Sequence, residues 1–347
     1  MRFFKPANAV GLEIDTGTIR VVELKGTLRS AALVTAGQID LPDQAVVDGI
    51  VVDVQTVAQA IKDLWERLNI SSREVVLGIT NHGVFMRYTN FPKLPDKKLA
   101  QALRFHAGEY FPIDNTQLVF DYALLGEDVG EKNAQLKVLM VGVRKDLLDT
   151  SLRTLGAANL QPKVVDVSYI ALLRTLNKRQ LSDSVVLVDL ANGLTSIQLI
   201  NKGIPHFARI ISHSLQTYAH EVNLSLADQD LTTRALVAAA KDTDSEGYND
   251  SLAADWRTTL ANEIRSSVSY YLAQADAGSV ETVILSGRGA LIPGLGAHLQ
   301  EELGVTVEVL DPLENLQQTL LSDGLGFPEL DAAFASCLGL ALRGLGA

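Results

Sequence analysis

GLEIDTGTIRVVEL, residues 11–24, is the stretch on which the fold turns. Two apolar runs, 10–14 and 19–24, flank a short polar turn of Asp15, Thr16, Gly17 and Thr18, so the stretch reads as a β-hairpin. A carboxylate, two hydroxyls and a glycine at the tip of a buried hairpin allow two readings. The turn only reverses the chain, or it aims backbone N–H groups and hydroxyls at an anion. SVVLVDLANGLTSIQLINKGIPHFARII, residues 184–211, repeats the pattern as strand, polar Gly turn, strand, turn, strand. Two halves that open in this way describe a duplicated lobe, an arrangement suited to clamping a nucleotide between two domains.

Working outward, ALVTAGQIDL (32–41) reads as a third strand and EVVLGIT (74–80) as a buried one. Between them, residues 54–68 carry Val57, Ile61, Leu64, Trp65 and Leu68 near helical spacing. The next block differs. After prolines at 92 and 95, DKKLAQALRFHAGEYF (96–111) reads as a helix with Asp96 at its cap and Pro112 ending it. VFDYALLGEDVGEKNAQLKVLMVGVR (119–144) reads as a hairpin around an acidic loop at 126–132. A helix at 146–157 completes what looks like a small inserted α+β subdomain, and PKVVDVSY (162–169) leads on as a strand. Residues 170–177 read as helical, and 214–275 as mostly helical, broken by the polar run KDTDSEGYNDS (241–251). TVILSGRGALIPGLGAHLQEELG (282–304) gives a strand, a Gly-rich turn and a helix. A last strand in 305–313 and an apolar helix in 330–346 follow. The fold class expected is α/β with two lobes. One lobe is formed by 1–82, 162–182 and 331–347, the insertion by 83–161, and the second lobe by 183–330, with a helical part at 214–275.

Composition narrows the partners. The 347 residues are 47% hydrophobic and 6% aromatic, enough for a large aliphatic core, and the formal net charge is −11. An acidic chain repels nucleic acid and anionic lipid. One cysteine, Cys337, excludes an internal disulfide and suits a reducing compartment. No run approaches the roughly 18 uninterrupted apolar residues of a spanning helix, and MRFFKPANAVG has no signal-peptide core, so a cytoplasmic protein reaching membranes through partners is expected. His206, His213 and His220 are spaced seven apart, about 10 Å along a helix, too far for shared ligation. Cys337 lies in an apolar helix and reads as a small buried hydrophobe.

Three turns carry the chemistry. The first offers Thr16, Gly17 and Thr18 with Glu13 or Asp15. The second offers Asn192, Gly193, Thr195 and Ser196 with Asp189. The third offers Gly287, Gly289, Pro293 and Gly294. Amides and hydroxyls of the first two suit phosphate oxygens, carboxylates such as Asp15 and Asp189 suit Mg²⁺, and glycines of the third let a nucleoside approach the backbone. One such turn is ordinarily structural. Three in this order favour an ATP cleft.

That order resembles the actin-like (ribonuclease H-like) ATPase superfamily, and within it the PilM family of type IV pilus assembly. The matching stretches are GLEIDTGTIRVVEL, FPKLPDKKLAQALRFHAGEYFPIDNTQLVFDYALL, VVDVSYIALLRTL, LANEIRSSVSYYL, LSGRGALIPGLGAHLQEELGVTVEVLDPL and FASCLGLALRGLG. The resemblance implies a two-lobed fold with an inserted subdomain, called 1C, and a place in pilus biogenesis and twitching motility. It implies that the groove between the first lobe and 1C takes the N-terminal tail of PilN, an inner-membrane protein, with Phe85, Leu103, Phe111 and Val119 as candidate anchors. Pilus motor ATPases and a second copy of the chain are further partners it allows. Glu13 takes the place of the family's first-strand acid in the gapless register, with Asp15 where a glycine is common. In a looser actin-like register, Asp15 is that acid. Leu190-Ala191 stands where a glycine is common, and Arg288 interrupts the glycine loop. These departures leave nucleotide binding and its loss both open. No residue stands out as a water-activating base, so any ATPase turnover is expected to be slow. The alternative reading is an FtsA-like actin-family ATPase or filament protein of cell division.

Overall fold

The structure is a computed structural model that describes residues 7–129, 134–222, 250–273, 279–314, 316 and 330–346. Two five-stranded sheets form its frame. The first contains β1 (Ala7–Asp15), β2 (Thr18–Gly26), β3 (Ala32–Asp40), β6 (Glu74–Ile79) and β10 (Gln161–Val167) in the order β10-β6-β1-β2-β3. A two-stranded ribbon, β4 (Val46–Val47) with β5 (Ile50–Val51), and helix α1 (Val54–Arg67) precede β6. The second sheet contains β11 (Ser184–Leu190), β12 (Thr195–Asn201), β13 (Ile204–Ile211), β14 (Thr282–Ser286) and β15 (Thr306–Val309) in the order β13-β12-β11-β14-β15. In each sheet an antiparallel three-strand meander is followed by two parallel strands. The repeat read from the sequence is thus a repeat of topology.

The insertion has its own sheet, β7 (Val84–Pro92), β9 (Ala134–Arg144) and β8 (Leu118–Val129), in the order β7-β9-β8. Helix α2 (Asp96–Tyr110) covers one face of it. This helix starts at Asp96 itself, with Pro95 at the capping position, so the expected Asp96 cap lies one residue too late. The fixed φ of Pro95 sets the entry to the helix instead. Gly126 to Val129 continue β8 past a bulge at Leu124/Gly126, beyond the expected start of the acidic loop. The rest of that expected loop, 130–132, lies outside the described residues, as do 223–249, which hold part of the region expected to be helical and most of the polar run at 241–251. The other face of the sheet packs on the first lobe through Val84, Met86, Leu139 and Val143, beside α3 (Lys145–Ala157).

The chain crosses to the second lobe through α4 (Ser168–Ala171), a 3₁₀ turn and α5 (Lys178–Ser182). Helices α6 (Leu215–Glu221), α7 (Asp250–Leu272) and α8 (Leu295–Leu303) cover the second sheet. The closing helix α9 (Ala335–Gly344) returns to the first lobe and lies across β1 and β2. It comes so close to β1 that a Cβ at Gly11 would stand 2.3 Å from the Cys337 carbonyl oxygen. Cys337 is wholly buried there, its Sγ donating to the Gly11 carbonyl at 3.2 Å.

Candidate functional site

The C-terminal ends of β1 and β11 face each other across the interlobe cleft, because each sheet places its first strand at the centre. Register fixes the equivalences. Glu13 pairs with Gly78 at the end of the parallel β1–β6 ladder, and Asp189 pairs with Ser286 at the end of the β11–β14 ladder. Glu13 and Asp189 therefore hold the same place in their sheets, and Asp15 lies two residues further out. Of the two registers the sequence leaves open, the gapless one agrees with the topology.

The three carboxylates share a dry space with one guanidinium. Glu13, Asp15 and Asp189 are each 7% exposed and Arg20 is 2% exposed. Arg20 Nη1 lies 3.4 Å from Glu13 and 3.6 Å from Asp15. Burial pushes the Glu13 pKa up to about 8, against the pull of Arg20 and with help from the Asp15 and Asp189 charges. Burial, with Asp15, pushes Asp189 up to about 6, while bonds from Ser286 and Ser336 oppose the shift. Ser336 Oγ donates to Asp189 Oδ2 at 3.3 Å, tying α9 to the second lobe. Arg20 and Ser336 were not among the residues singled out from sequence. Arg20 had a signal, since a charge inside a strand apolar on both sides needs a buried partner. Ser336 had none.

The two turns bind one another. Asn192 N donates to Asp15 Oδ2 at 2.9 Å and Gly193 N to Asp15 Oδ1 at 3.4 Å. Asn192 Nδ2 donates to the Thr16 carbonyl at 2.8 Å. Gly17 takes φ 71°, a conformation glycine adopts without strain, and this keeps the first turn to two residues. The hydroxyls of Thr18 and Thr195 serve their own lobes, donating to the Ile39 and His213 carbonyls at 3.2 Å and 2.6 Å. Gly287 and Gly289 lie on the end of β11, where a Cβ would stand 2.4 Å from the Leu190 carbonyl oxygen and 2.7 Å from Leu190 Cβ respectively. Half-buried Pro293 lies past the 3₁₀ turn of that loop. Arg288 is also half-buried, its pKa lowered by burial and by Arg20 while Asp40, Asp15 and Asp331 oppose.

A cavity of about 20 Å³ remains, lined by Glu13, Asp15, Thr80, Ser168, Asp189 and Ser196 among others. That is room for about one water, whereas sites for drug-sized ligands run to roughly 300–1,000 Å³. Ser196 Oγ, on the cavity lining, and Thr16 Oγ1 and Asn192 Oδ1, in the paired turns, are buried without protein partners. Among the described residues, the two turns as they stand leave no room for a phosphate: the Asn192 and Gly193 amides hold Asp15, and the cavity beside it is that of a solvent molecule. Among the described residues no group of three or more His, Cys, Asp or Glu is placed to hold a metal ion. The three spaced histidines go to separate places. His206 lies tilted against Tyr88 of the insertion with ring centroids 4.7 Å apart, and His213 stacks on Trp256 at 4.4 Å. His220 ends α6.

The four residues expected in the insertion groove divide. Leu103 (0% exposed) and Phe111 (3%) are core beneath α2, packed with Leu99, Val138 and Met140. They present no surface to a partner, because periodicity cannot tell the core of a small subdomain from a groove. Phe85 is half-buried against the same core, with the Arg87 guanidinium over its ring. Val119, on the sheet-edge strand β8, is 41% exposed.

Comparison with known proteins follows this architecture closely. Residues 11–345 match the family described as type IV pilus assembly protein PilM. The chain belongs to the PilM family. A solved PilM-PilN type IV pilus biogenesis complex superposes with a TM-score of 0.84 at 26% identity, over 98% of this chain and 99% of that one. The ethanolamine utilization protein EutJ from Carboxydothermus hydrogenoformans superposes with a TM-score of 0.54 at 14% identity, covering 98% and 90% of the two chains, a likeness of fold alone. The same holds for the (R)-2-hydroxyglutaryl-CoA dehydratase component A of Acidaminococcus fermentans, with a TM-score of 0.51 at 10% identity, covering 97% of each chain. A PilM-family chain is an actin-like type IV pilus assembly protein. Among the described residues no helix is long and apolar enough to cross a membrane.

Proposed function

We propose that this chain is the adaptor of a type IV pilus or related secretion machine. It would receive the N-terminal tail of a PilN-like inner-membrane protein between its insertion and its first lobe, and so work at the cytoplasmic face. The observation that carries the reading is the open edge of the insertion. Among the described residues strand β8 pairs only with β9, and Val119 faces away from the insertion core. An extended peptide can add to a free strand edge and place a few apolar anchors beside it. The 26% identical chain solved with PilN supports the choice of partner. The working division is 83–161 for the insertion and 183–330 for the second lobe.

ATP with Mg²⁺ in the cleft is a separate proposal, and it requires an opening of the lobes. Scaffolding does not depend on it. The test is calorimetric titration of a synthetic tail peptide from a PilN-like protein. Val119→Asp is expected to abolish binding while leaving the fold intact. Unchanged affinity in a folded Val119→Asp variant would remove the tail from this edge. ATP-dependent pelleting of the purified chain would favour a filament protein instead.

A further inference from the structure

The turn after β11 is an anion site filled from within the chain. Successive amides of Asn192 and Gly193, belonging to one lobe, converge on a carboxylate of the other at 2.9 and 3.4 Å. Such an amide pair suits a phosphoryl oxygen as well as a carboxylate. Thr16 N adds a third donor to the same carboxylate at 2.8 Å. We propose that Asp15 is the resident anion of this site and latches the lobes shut, so that a phosphoryl-bearing ligand enters only by displacing it.

Fit and charge both favour the internal ligand. The turns are in contact, and a Cβ at Gly193 would stand 2.1 Å from Thr16 Oγ1. There is no layer of space between them for a phosphate. The nearest buried cation, Arg20, is already shared between Glu13 and Asp15. A polyphosphate in the closed cleft would therefore meet the Asp15 and Asp189 carboxylates, with Arg20 already engaged. Residue 15 also comes close to the second lobe without a linker to order, since it sits at the end of a strand paired on both sides. Holding the acceptor rigidly keeps the entropic cost of the latch small.

The test combines amide hydrogen exchange with anion binding on the full chain. The variants are Asp15→Ala, which removes the carboxylate, Asp15→Asn, which keeps its volume, and Gly193→Ala, which forces the turns apart with the carboxylate intact. The probes are inorganic pyrophosphate and Mg-ATP at low-millimolar concentration. Exchange at the Asn192 and Gly193 amides is expected to quicken about tenfold or more in Asp15→Ala and Gly193→Ala, and less in Asp15→Asn. Pyrophosphate is expected to slow it again in Asp15→Ala, and the wild type is expected to bind both probes at least tenfold more weakly than Asp15→Ala. Saturable Mg-ATP binding by the wild type, equal to that of Asp15→Ala, would overturn the proposal. So would unchanged exchange in both Asp15→Asn and Gly193→Ala, which together cover the case of an unfolded Asp15→Ala. These outcomes are independent of tail binding, so the adaptor reading stands or falls on its own titration.

Discussion

Glu13 is buried between Arg20 on its cationic side and Asp15 and Asp189 on its anionic side, and it carries the largest consequence of any single residue. Its pKa rises from 4.5 to about 8 on folding. Between those values the folded chain holds a proton that the unfolded chain has released, so stability falls as pH rises through that window. Asp189 acts in the same sense between 3.8 and about 6. Thermal denaturation from pH 5 to 8.5 is expected to show a melting temperature that declines toward the alkaline end. Glu13→Gln, which cannot ionise, should flatten the decline above pH 6. An unchanged slope would place the pH-sensitive group elsewhere. Sequence reading found all three acids, because acids at strand ends beside glycine turns announce themselves. It missed Arg20, whose role depends on where the strand is buried, and it left Glu13 and Asp15 as alternatives until the two ladders gave their register.

At the level of elements, the strands and helices of both lobes were legible from apolar runs and helical spacing. The failures share a cause. In the insertion, Leu99, Leu103, Ala107 and Phe111 form a helical stripe, and such a stripe is the same whether it meets a core or a peptide. Only the pairing order β7-β9-β8 shows that Leu103 faces inward and that Val119 lies on a free edge. Leu103→Ala should therefore destabilise the chain by about 2–5 kcal/mol, and Val119→Asp by about 0.5 kcal/mol or less, as read by urea denaturation. Equal losses would mean that Val119 is also core. The closing helix makes a sharper case. Its contact with β1 at Gly11 is backbone against backbone, with the Ala341 amide 2.6 Å from the site of a Cβ in addition to the Cys337 carbonyl. Backbone cannot yield as a rotamer can. Gly11→Ala should cost about 3 kcal/mol or more, at or above the upper end for overpacking. A loss below about 1 kcal/mol would mean that the helix shifts freely on the sheet.

For the whole molecule, the duplication was visible in two hairpins 173 positions apart, residues 11 and 184 onward. How the halves meet was not visible, because it depends on hydrogen bonds between turns that have no local pattern. The lobes touch at several places, and two of them are well apart. One is the pair of turns, held by Asp15 and Asn192. The other is the side of the insertion, where Tyr88 packs against His206 and His82 Nε2 meets Ser212 Oγ at 3.2 Å. Well-separated substitutions ordinarily add within about 0.3–0.5 kcal/mol. Here they should not. If each lobe moves as a rigid body about the crossing at 168–183, opening the cleft at the turns also pulls the second contact apart. Once Asp15→Asn has opened it, Tyr88→Ala has less left to remove. Urea denaturation of both single variants and the double variant is expected to show a combined loss smaller than the sum by at least about 0.5 kcal/mol, the size of coupling seen between residues in one network. Additive losses would mean that the two contacts hold the lobes independently, with the crossing segment too compliant to transmit motion between them.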